Sequence, residues 1–257
     1  MASPTTSPVR SDPVSPAVAI GNVLFHWRNG LFPIAFLAIA LASRPRWFLG
    51  SPRADAILDV VGILVALSGQ VLRALVIGLA YIQRGGKDRR IHADALVTEG
   101  LFRHSRNPLY VGNALVYLGL FLILNSTLGY GVGVPFFLFA YWCITLAEEN
   151  FLLGRFGAAY ADYCRSVPRY LPRLAGVGET MRSMEFDWRR LIRKEYGSTF
   201  SWMTTALGLL YWESFRNRGA EASRPVLVGV LAVWGVLLAG YLVARWLKKT
   251  RRLQSPS

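Results

Sequence analysis

Cysteine and histidine are scarce in this chain of 257 residues: Cys143 and Cys164 are its two thiols, and His26, His92 and His104 its three imidazoles. Two thiols cannot build a disulfide framework. Three scattered histidines with no H-x-x-x-H spacing argue against a dedicated transition-metal centre. Charge is also sparse, at 17% of residues against about a quarter in soluble domains. Acid is rarer than base, with 15 Asp and Glu against 29 Lys and Arg. At the N-terminus no compact basic segment precedes an apolar core, so a cleavable signal peptide is not expected. What fills the chain instead is apolar: 53% of residues are hydrophobic. Residues 107–147, 196–212 and 225–244 contain no Asp, Glu, Lys or Arg at all.

Runs of this length have a direct physical reading. A hydrocarbon core of about 30 Å takes roughly 20 apolar helical residues to cross, so 107–147 reads as two spans joined at Asn125-Ser126-Thr127. The fold class expected is all-α, a polytopic transmembrane helical bundle of about six spans with its site-building polar sequence on the cytoplasmic side. The spans fall near residues 30–43 (or from an earlier start through 18–27), 56–82, 108–124, 129–149, 199–213 and 226–245, the first being the least defined because Arg28 and Pro33 interrupt its start. The division expected is a disordered tail over 1–17, N-terminal membrane helices over 18–95, a core over 96–175, and an amphipathic helix plus two spans over 176–250. With the N-terminus inside, cytoplasmic segments carry 22 Lys and Arg and outer loops 6, which places both termini in the cytoplasm. The simple architecture fits the inner membrane of a bacterium. The net charge of +14 is then explained by anionic headgroups rather than by nucleic acid.

Two polar segments lie on the cytoplasmic side. The first runs His92-Ala-Asp-Ala-Leu96-Val97-x-x-Gly100-x-x-Arg103-His104-x-Arg106-Asn107-Pro108-x-Tyr110-x-Gly112-Asn113. Asn107 as N-cap and Pro108 as first helical residue predict a helix start there, an anion site flanked by Arg103 and Arg106. The second runs Glu148-Glu149-x-x-Leu152-x-x-x-Phe156-Gly157-x-x-Tyr160-x-x-Tyr163-x-x-x-Val167-Pro168-Arg169. Adjacent carboxylates at a helix C-terminus repel each other and oppose the dipole, so they are expected to meet a cation or a donor. One of them is expected to face a ligand and the other to pair with a nearby arginine.

Together these motifs resemble the isoprenylcysteine carboxyl methyltransferase and phospholipid methyltransferase superfamily of integral membrane enzymes. The resemblance covers about Leu96 to Pro172. It implies a membrane methyltransferase that binds S-adenosylmethionine between the Arg106–Tyr110 segment and the Glu148–Tyr163 segment, and methylates a lipid or isoprenoid-type acceptor at a carboxylate or an amine. The cofactor-binding set implied is His92, Leu96, Val97, Gly100, Arg106, Asn107, Pro108, Tyr110, Glu148, Glu149, Tyr160 and Tyr163. The catalytic set is Arg73, Glu148 and Glu149, and no metal is expected. Asn107 stands where the family most often has His, which removes an acid or base near pH 7. A carboxylate acceptor, already ionised, would not need one.

Arg73 lies within the second span, three residues after Gln70. A cation there costs at least ~2.5 kcal/mol unless paired, so it reads either the acceptor or an internal partner. His92 belongs to the motif, but its spacing forces no acid–base role, and His104 is read as a surface polar residue. The stretch from Trp188 to Lys194 reads as an amphipathic helix lying on the membrane surface. Two rivals remain. An NADPH-dependent reductase of the steroid 5α-reductase type would carry Glu after Asn-Pro-x-Tyr-x-Gly, where this chain has Asn113. A scaffold or transporter would leave both motifs unexplained.

Overall fold

The computed structural model describes residues 15–79 and 90–253 of the chain. Eight α-helices order the described residues: α1 (Pro16–Ala42), α2 (Pro52–Leu79), α3 (Pro108–Leu124), α4 (Val134–Phe156), α5 (Ala158–Ser166), α6 (Val177–Arg182), α7 (Trp188–Arg218) and α8 (Arg224–Lys249). A 3-10 turn at Gly100–Arg103 precedes α3, and a π-helical turn at Gly129–Gly133 feeds directly into α4. The all-helical expectation holds. By length and apolarity α1, α2, α8 and the continuous stretch Gly129–Phe156 can each cross a membrane. Apolar α3 has 17 residues, and the first half of α7 is charged.

The structure settles one boundary of the sequence reading and corrects another. The first span was placed around residues 30–43 or from an earlier start through 18–27; the longer alternative is the one seen, with α1 beginning at Pro16, capped by the Ser15 hydroxyl. Arg28 therefore sits inside a helix rather than on a cytoplasmic flank, its guanidinium 3.6 Å from the centre of the Phe25 ring. Pro33 removes one backbone donor without ending the helix. The tail expected over 1–17 lies outside the described residues through residue 14. The separate surface helix at Trp188–Lys194 does not exist as such, being the first turns of the 31-residue α7. Asp187 caps that helix by accepting from Arg190 N (2.8 Å), while its own N–H donates to Gly78 O at the end of α2 (2.9 Å). The charged stretch is thus fastened to α2.

The most extensive contact in the bundle is between α2 and α3, and glycine makes it possible. A Cβ on Gly69 would fall 2.5 Å from Gly112 O, and one on Gly119 would fall 2.4 Å from Gly62 O. In lipid, where apolar burial drives helices together weakly, such small-residue crossings supply the packing. On the other side of α3, Phe32 and Phe36 of α1, Tyr117 and Phe121 of α3, and Phe137 and Tyr141 of α4 form a cluster of edge-on, tilted and stacked rings. Such ring pairs add about 0.5–1.5 kcal/mol each beyond their burial.

Candidate functional site

The two motifs converge because the chain after α5 returns along the segment before α3. Arg106 N donates to Pro168 O (2.9 Å), Asn107 N to Arg169 O (3.2 Å) and Arg173 N to His104 O (3.0 Å), and Ser105 Oγ donates to Tyr170 O (2.9 Å). His104 is buried within this clamp, its Nδ1 2.8 Å from Arg173 O and its Nε2 2.9 Å from Thr180 Oγ1. A neutral ring protonated at Nδ1 satisfies both partners. The reading of His104 as a surface residue is therefore wrong: its partners come from 69 and 76 residues away, beyond the reach of local pattern. Two backbone donors at the expected anion site are likewise occupied, by the carbonyls of Pro168 and Arg169.

Asn107 occupies the N-cap position of α3, but its side chain makes no capping hydrogen bond. Its Nδ2 instead donates to Glu149 Oε1 (3.2 Å) and Arg169 O (3.3 Å). Glu149 gathers three segments: Arg169 Nη2 lies 2.8 Å from its Oε2 and Arg106 Nη1 3.3 Å from its Oε1, with all but a tenth of the carboxylate hidden. Glu148 points elsewhere and accepts from Tyr110 Oη (2.7 Å). Helical neighbours diverge by about 100°, which is why the pair divides in this way.

Between these elements lies a cavity of about 680 Å³, inside the usual range for small-molecule sites. Of the residues named from sequence, His92, Leu96, Val97, Arg106, Asn107, Tyr110, Glu148, Tyr160, Tyr163 and Arg73 line it. Gly100, Pro108 and Glu149 do not: Gly100 is buried in its turn at φ +60°, Pro108 starts α3, and Glu149 holds the arginines from behind. His92 Nε2 is 2.9 Å from Asp94 Oδ1 at the cavity rim. Burial raises the Tyr160 and Tyr163 phenols well above their ordinary range, with Glu149 reinforcing the effect, so both stay protonated. The Tyr163 hydroxyl donates to Phe102 O (2.7 Å). Burial alone would lower the Arg106 guanidinium, but Glu149, Cys164 and Tyr160 outweigh it, and it remains charged. Its Nε is buried with no hydrogen-bond acceptor among the described residues.

Arg73 is buried and fully engaged. Its Nε and Nη2 reach Glu195 at 2.8–2.9 Å, Nη2 reaches Ser198 Oγ (3.1 Å), and Nη1 donates to Asn113 Oδ1. Gln70 adds a bond to Glu195 (3.3 Å) and accepts from Trp202 Nε1 (2.9 Å). Of the two roles left open for Arg73, the internal pair is the one the geometry displays. Glu195 was not singled out in the sequence, since it sits in a basic stretch that resembles a membrane-surface helix. A glutamate at that depth of α7 was the available signal.

A second cavity of about 730 Å³ opens between α1, α3 and α7. Arg28, Asn29, Arg73, Asn113 and Ser198 border both cavities, so the polar chamber continues into an apolar one walled by Phe32, Phe36, Leu120, Trp202, Leu209 and Trp212. None of Arg28, Asn29 and Ser198 was named from sequence as a site residue. At the opposite end of α2, Asp55, Asp59 and Glu213 bring carboxylate oxygens within 4.8 Å of one another. The argument against a metal rested on cysteine and histidine and did not foresee this acidic group.

The phospholipid methyltransferase family profile matches residues 58–159. That interval holds Arg73, the whole first motif and the acidic pair, and stops one residue short of Tyr160. The chain is similar to the cobalt-zinc-cadmium resistance protein CzcN of Cupriavidus metallidurans, with 31% identity over 170 residues, covering 64% of this chain and 73% of that protein. It is also similar to the protein-S-isoprenylcysteine O-methyltransferase of Xenopus laevis, with 30% identity over 123 residues, 47% of this chain and 42% of that enzyme. No solved structure matches the chain.

Proposed function

Because this chain belongs to the isoprenylcysteine carboxyl methyltransferase and phospholipid methyltransferase superfamily of membrane proteins, we propose that the cavity between its two motifs binds S-adenosylmethionine and that the adjoining apolar cavity receives a lipophilic acceptor. The observation that carries the reading is the chamber at the start of α3. Two carboxylates, Glu148 and Asp94, line it, and the buried guanidinium Nε of Arg106 has no acceptor among the described residues. Apolar walls from Leu96, Val97, Phe102, Leu109 and Leu152 complete it. A ligand with an ammonium, a sulfonium and a carboxylate on a flat apolar body matches that donor set. When bound, S-adenosylmethionine supplies an electrophilic methyl group on sulfur.

The chain's own residues then bind, orient and exclude water. Glu148 offers a negative oxygen to the cationic side of the donor, held in place by the Tyr110 hydroxyl. Arg106 Nε offers a proton to its carboxylate, while Glu149 and Cys164 (Arg106 Nη1 to Sγ, 2.6 Å) fix the guanidinium. Tyr160 and Tyr163, protonated and buried, shape the wall and hold no negative charge. Alignment of this kind and the removal of water account for most of the catalysis a displacement requires. The acceptor is a lipid or isoprenoid-type molecule. In this reading α1, α2, α3, the Gly129–Phe156 stretch, α7 and α8 cross a bacterial inner membrane, with both motifs and both termini on the cytoplasmic face.

Calorimetric titration of the detergent-solubilised chain with S-adenosylmethionine and with NADPH tests the proposal. Binding of the first alone is expected. Glu148→Gln keeps the shape and removes the charge, so it should weaken that binding by about 10- to 150-fold, the worth of one charge-assisted hydrogen bond. Binding of NADPH alone would move the chain to the reductase reading.

A further inference from the structure

A third hollow lies between α3 and α4, on the face the bundle turns to the bilayer. It is an apolar groove of about 410 Å³ walled by Val111, Leu115, Leu118, Leu138 and Trp142, the last three of them exposed. From Tyr110 to Phe121, both on its wall, α3 advances about 16 Å at about 1.5 Å per residue. Half of a hydrocarbon core of about 30 Å is about 15 Å, so the groove has the depth of one leaflet. Tyr170, whose carbonyl accepts from Ser105 just before α3, stands at its cytoplasmic end. The chain there is basic: between Asp162 and Glu179 it carries Arg165, Arg169 and Arg173 and no acid. Arg165 and Arg169 hold Asp162 and Glu149, while Arg173 is exposed. On either side of it Leu171 and Leu174 are 83% and 80% exposed. Leucines and arginines interleaved in this way suit the boundary between acyl chains and anionic headgroups, which takes up the one and attracts the other.

We propose that this groove holds one anionic phospholipid of the cytoplasmic leaflet, with an acyl chain along α3 and its phosphate at Arg173, and that the lipid supports the donor site without being the acceptor. The inference rests on the membrane orientation and the donor site proposed above. Tyr110 is the link, because it lines both the groove and the donor chamber. Its ring packs against Tyr141, also on the groove wall, with centres 5.6 Å apart, and its hydroxyl donates to Glu148. A chain in the groove backs this pair of rings and keeps the Tyr110 hydroxyl on Glu148. The headgroup acts on the same site from its other side. Arg173 N donates to His104 O and Arg169 ties down Glu149, both within the clamp that seats Arg106. A phosphatidylglycerol has the charge this requires and carries neither the amine nor the carboxylate of the acceptor.

Native mass spectrometry of the full chain, taken from bilayer discs into a neutral maltoside detergent, counts the lipids it retains. Calorimetry of S-adenosylmethionine in discs of phosphatidylcholine alone, or of phosphatidylcholine mixed equally with phosphatidylglycerol, reads the coupling. The parent should retain one phosphatidylglycerol in preference to phosphatidylcholine. It should bind S-adenosylmethionine at least about fivefold more tightly in the mixed discs, the low end of an ordinary coupling between sites. Leu118→Trp fills the groove at a position outside the donor chamber, so it should retain no lipid and bind the donor equally in both discs. Arg173→Gln should hold phosphatidylglycerol about fivefold less tightly, which preserves the test should the tryptophan variant fail to fold. Equal retention of both lipids by the parent overturns the proposal, and so does a Leu118→Trp that keeps its phosphatidylglycerol. A headgroup effect on donor affinity that survives in Leu118→Trp would overturn the link through Tyr110 and assign the effect to bulk surface charge. A retained lipid that gains a methyl group on incubation with the donor would also overturn the proposal, by making the groove the acceptor's own path. A parent that retains phosphatidylglycerol yet binds no S-adenosylmethionine in either disc would support the lipid site and sink the donor reading, so the two fail separately.

Discussion

Replacing Arg73 by methionine removes the cation from a pair whose side chains are 4% and 3% exposed. Glu195 would keep its hydrogen bond from Gln70 at 3.3 Å and lose its contacts with two guanidinium nitrogens. Asn113 and Ser198 would lose a donor as well. Truncating one side of a buried pair costs about 3–5 kcal/mol, chiefly because the other charge stays behind. With Gln70 remaining, we expect the lower end, about 3 kcal/mol. At roughly 2–4 °C per kcal/mol for a chain of this size, the unfolding midpoint in detergent should fall by about 6–12 °C. Donor binding and methyl transfer should decline together. Arg73→Met combined with Glu195→Leu removes both charges and should be less destabilised than the two single changes summed, with a coupling of about 1–3 kcal/mol. The decisive measurement is thermal unfolding of the four proteins beside acceptor turnover. An Arg73→Met variant that unfolds within 2 °C of the parent (about 1 kcal/mol) and loses only acceptor turnover would refute the structural assignment.

Other outcomes follow from single contacts. Gly112→Ala would place a Cβ 2.7 Å from Arg73 Cγ and 2.8 Å from Gly69 O; it should cost about 1–3 kcal/mol by overpacking, whereas Gly154→Ala meets open space and should leave the unfolding midpoint unchanged. Glu149→Gln strands Arg106 and Arg169 and should lower the unfolding midpoint more than Glu148→Gln does, because among the described residues Glu148 holds no arginine within ion-pair distance. Tyr163→Phe deletes a hydrogen bond to the Phe102 carbonyl and should cost about 0.5–1.5 kcal/mol, read as a lowered midpoint with substrate preference retained. Cysteines placed at exposed Glu99 and Gly178 should react with a membrane-impermeant thiol reagent from the same face; labelling from opposite faces would break the proposed topology.

How far the sequence carried depended on whether the signal was local. The bounds of α3 were legible to the residue because Asn107-Pro108 starts it, an uncharged run fills it and Asn125 ends it at φ +39°. The start of α1 was left between residue 30 and the 18–27 stretch by Arg28, since a lone arginine before an apolar run also reads as a membrane flank. α7 was split in two for a related reason: its charged first half lacks the apolarity of a span, and its fastening to Gly78 is a tertiary contact. Within the site, the motif residues that line the cavity were named from spacing and resemblance. Glu195, Arg28 and the true partners of His104 were not, because each is defined by a neighbour far away in the chain.

The pairing of Arg73 with Glu195 across 122 residues also sets a problem of biogenesis. Translation proceeds at about 5–20 residues per second, so α2 is made about 6–24 s before the glutamate that neutralises its arginine. Through that interval the nascent helix must enter the bilayer carrying an unmatched guanidinium, a state the insertion machinery tolerates at about 2.5–3.5 kcal/mol. Asn113 follows only 40 residues after Arg73 and accepts from its Nη1, and the α2–α3 glycine crossing brings the two together as soon as that hairpin closes. Of the groups that engage Arg73 in the finished bundle, the asparagine is therefore the first to be made, well before α7 emerges.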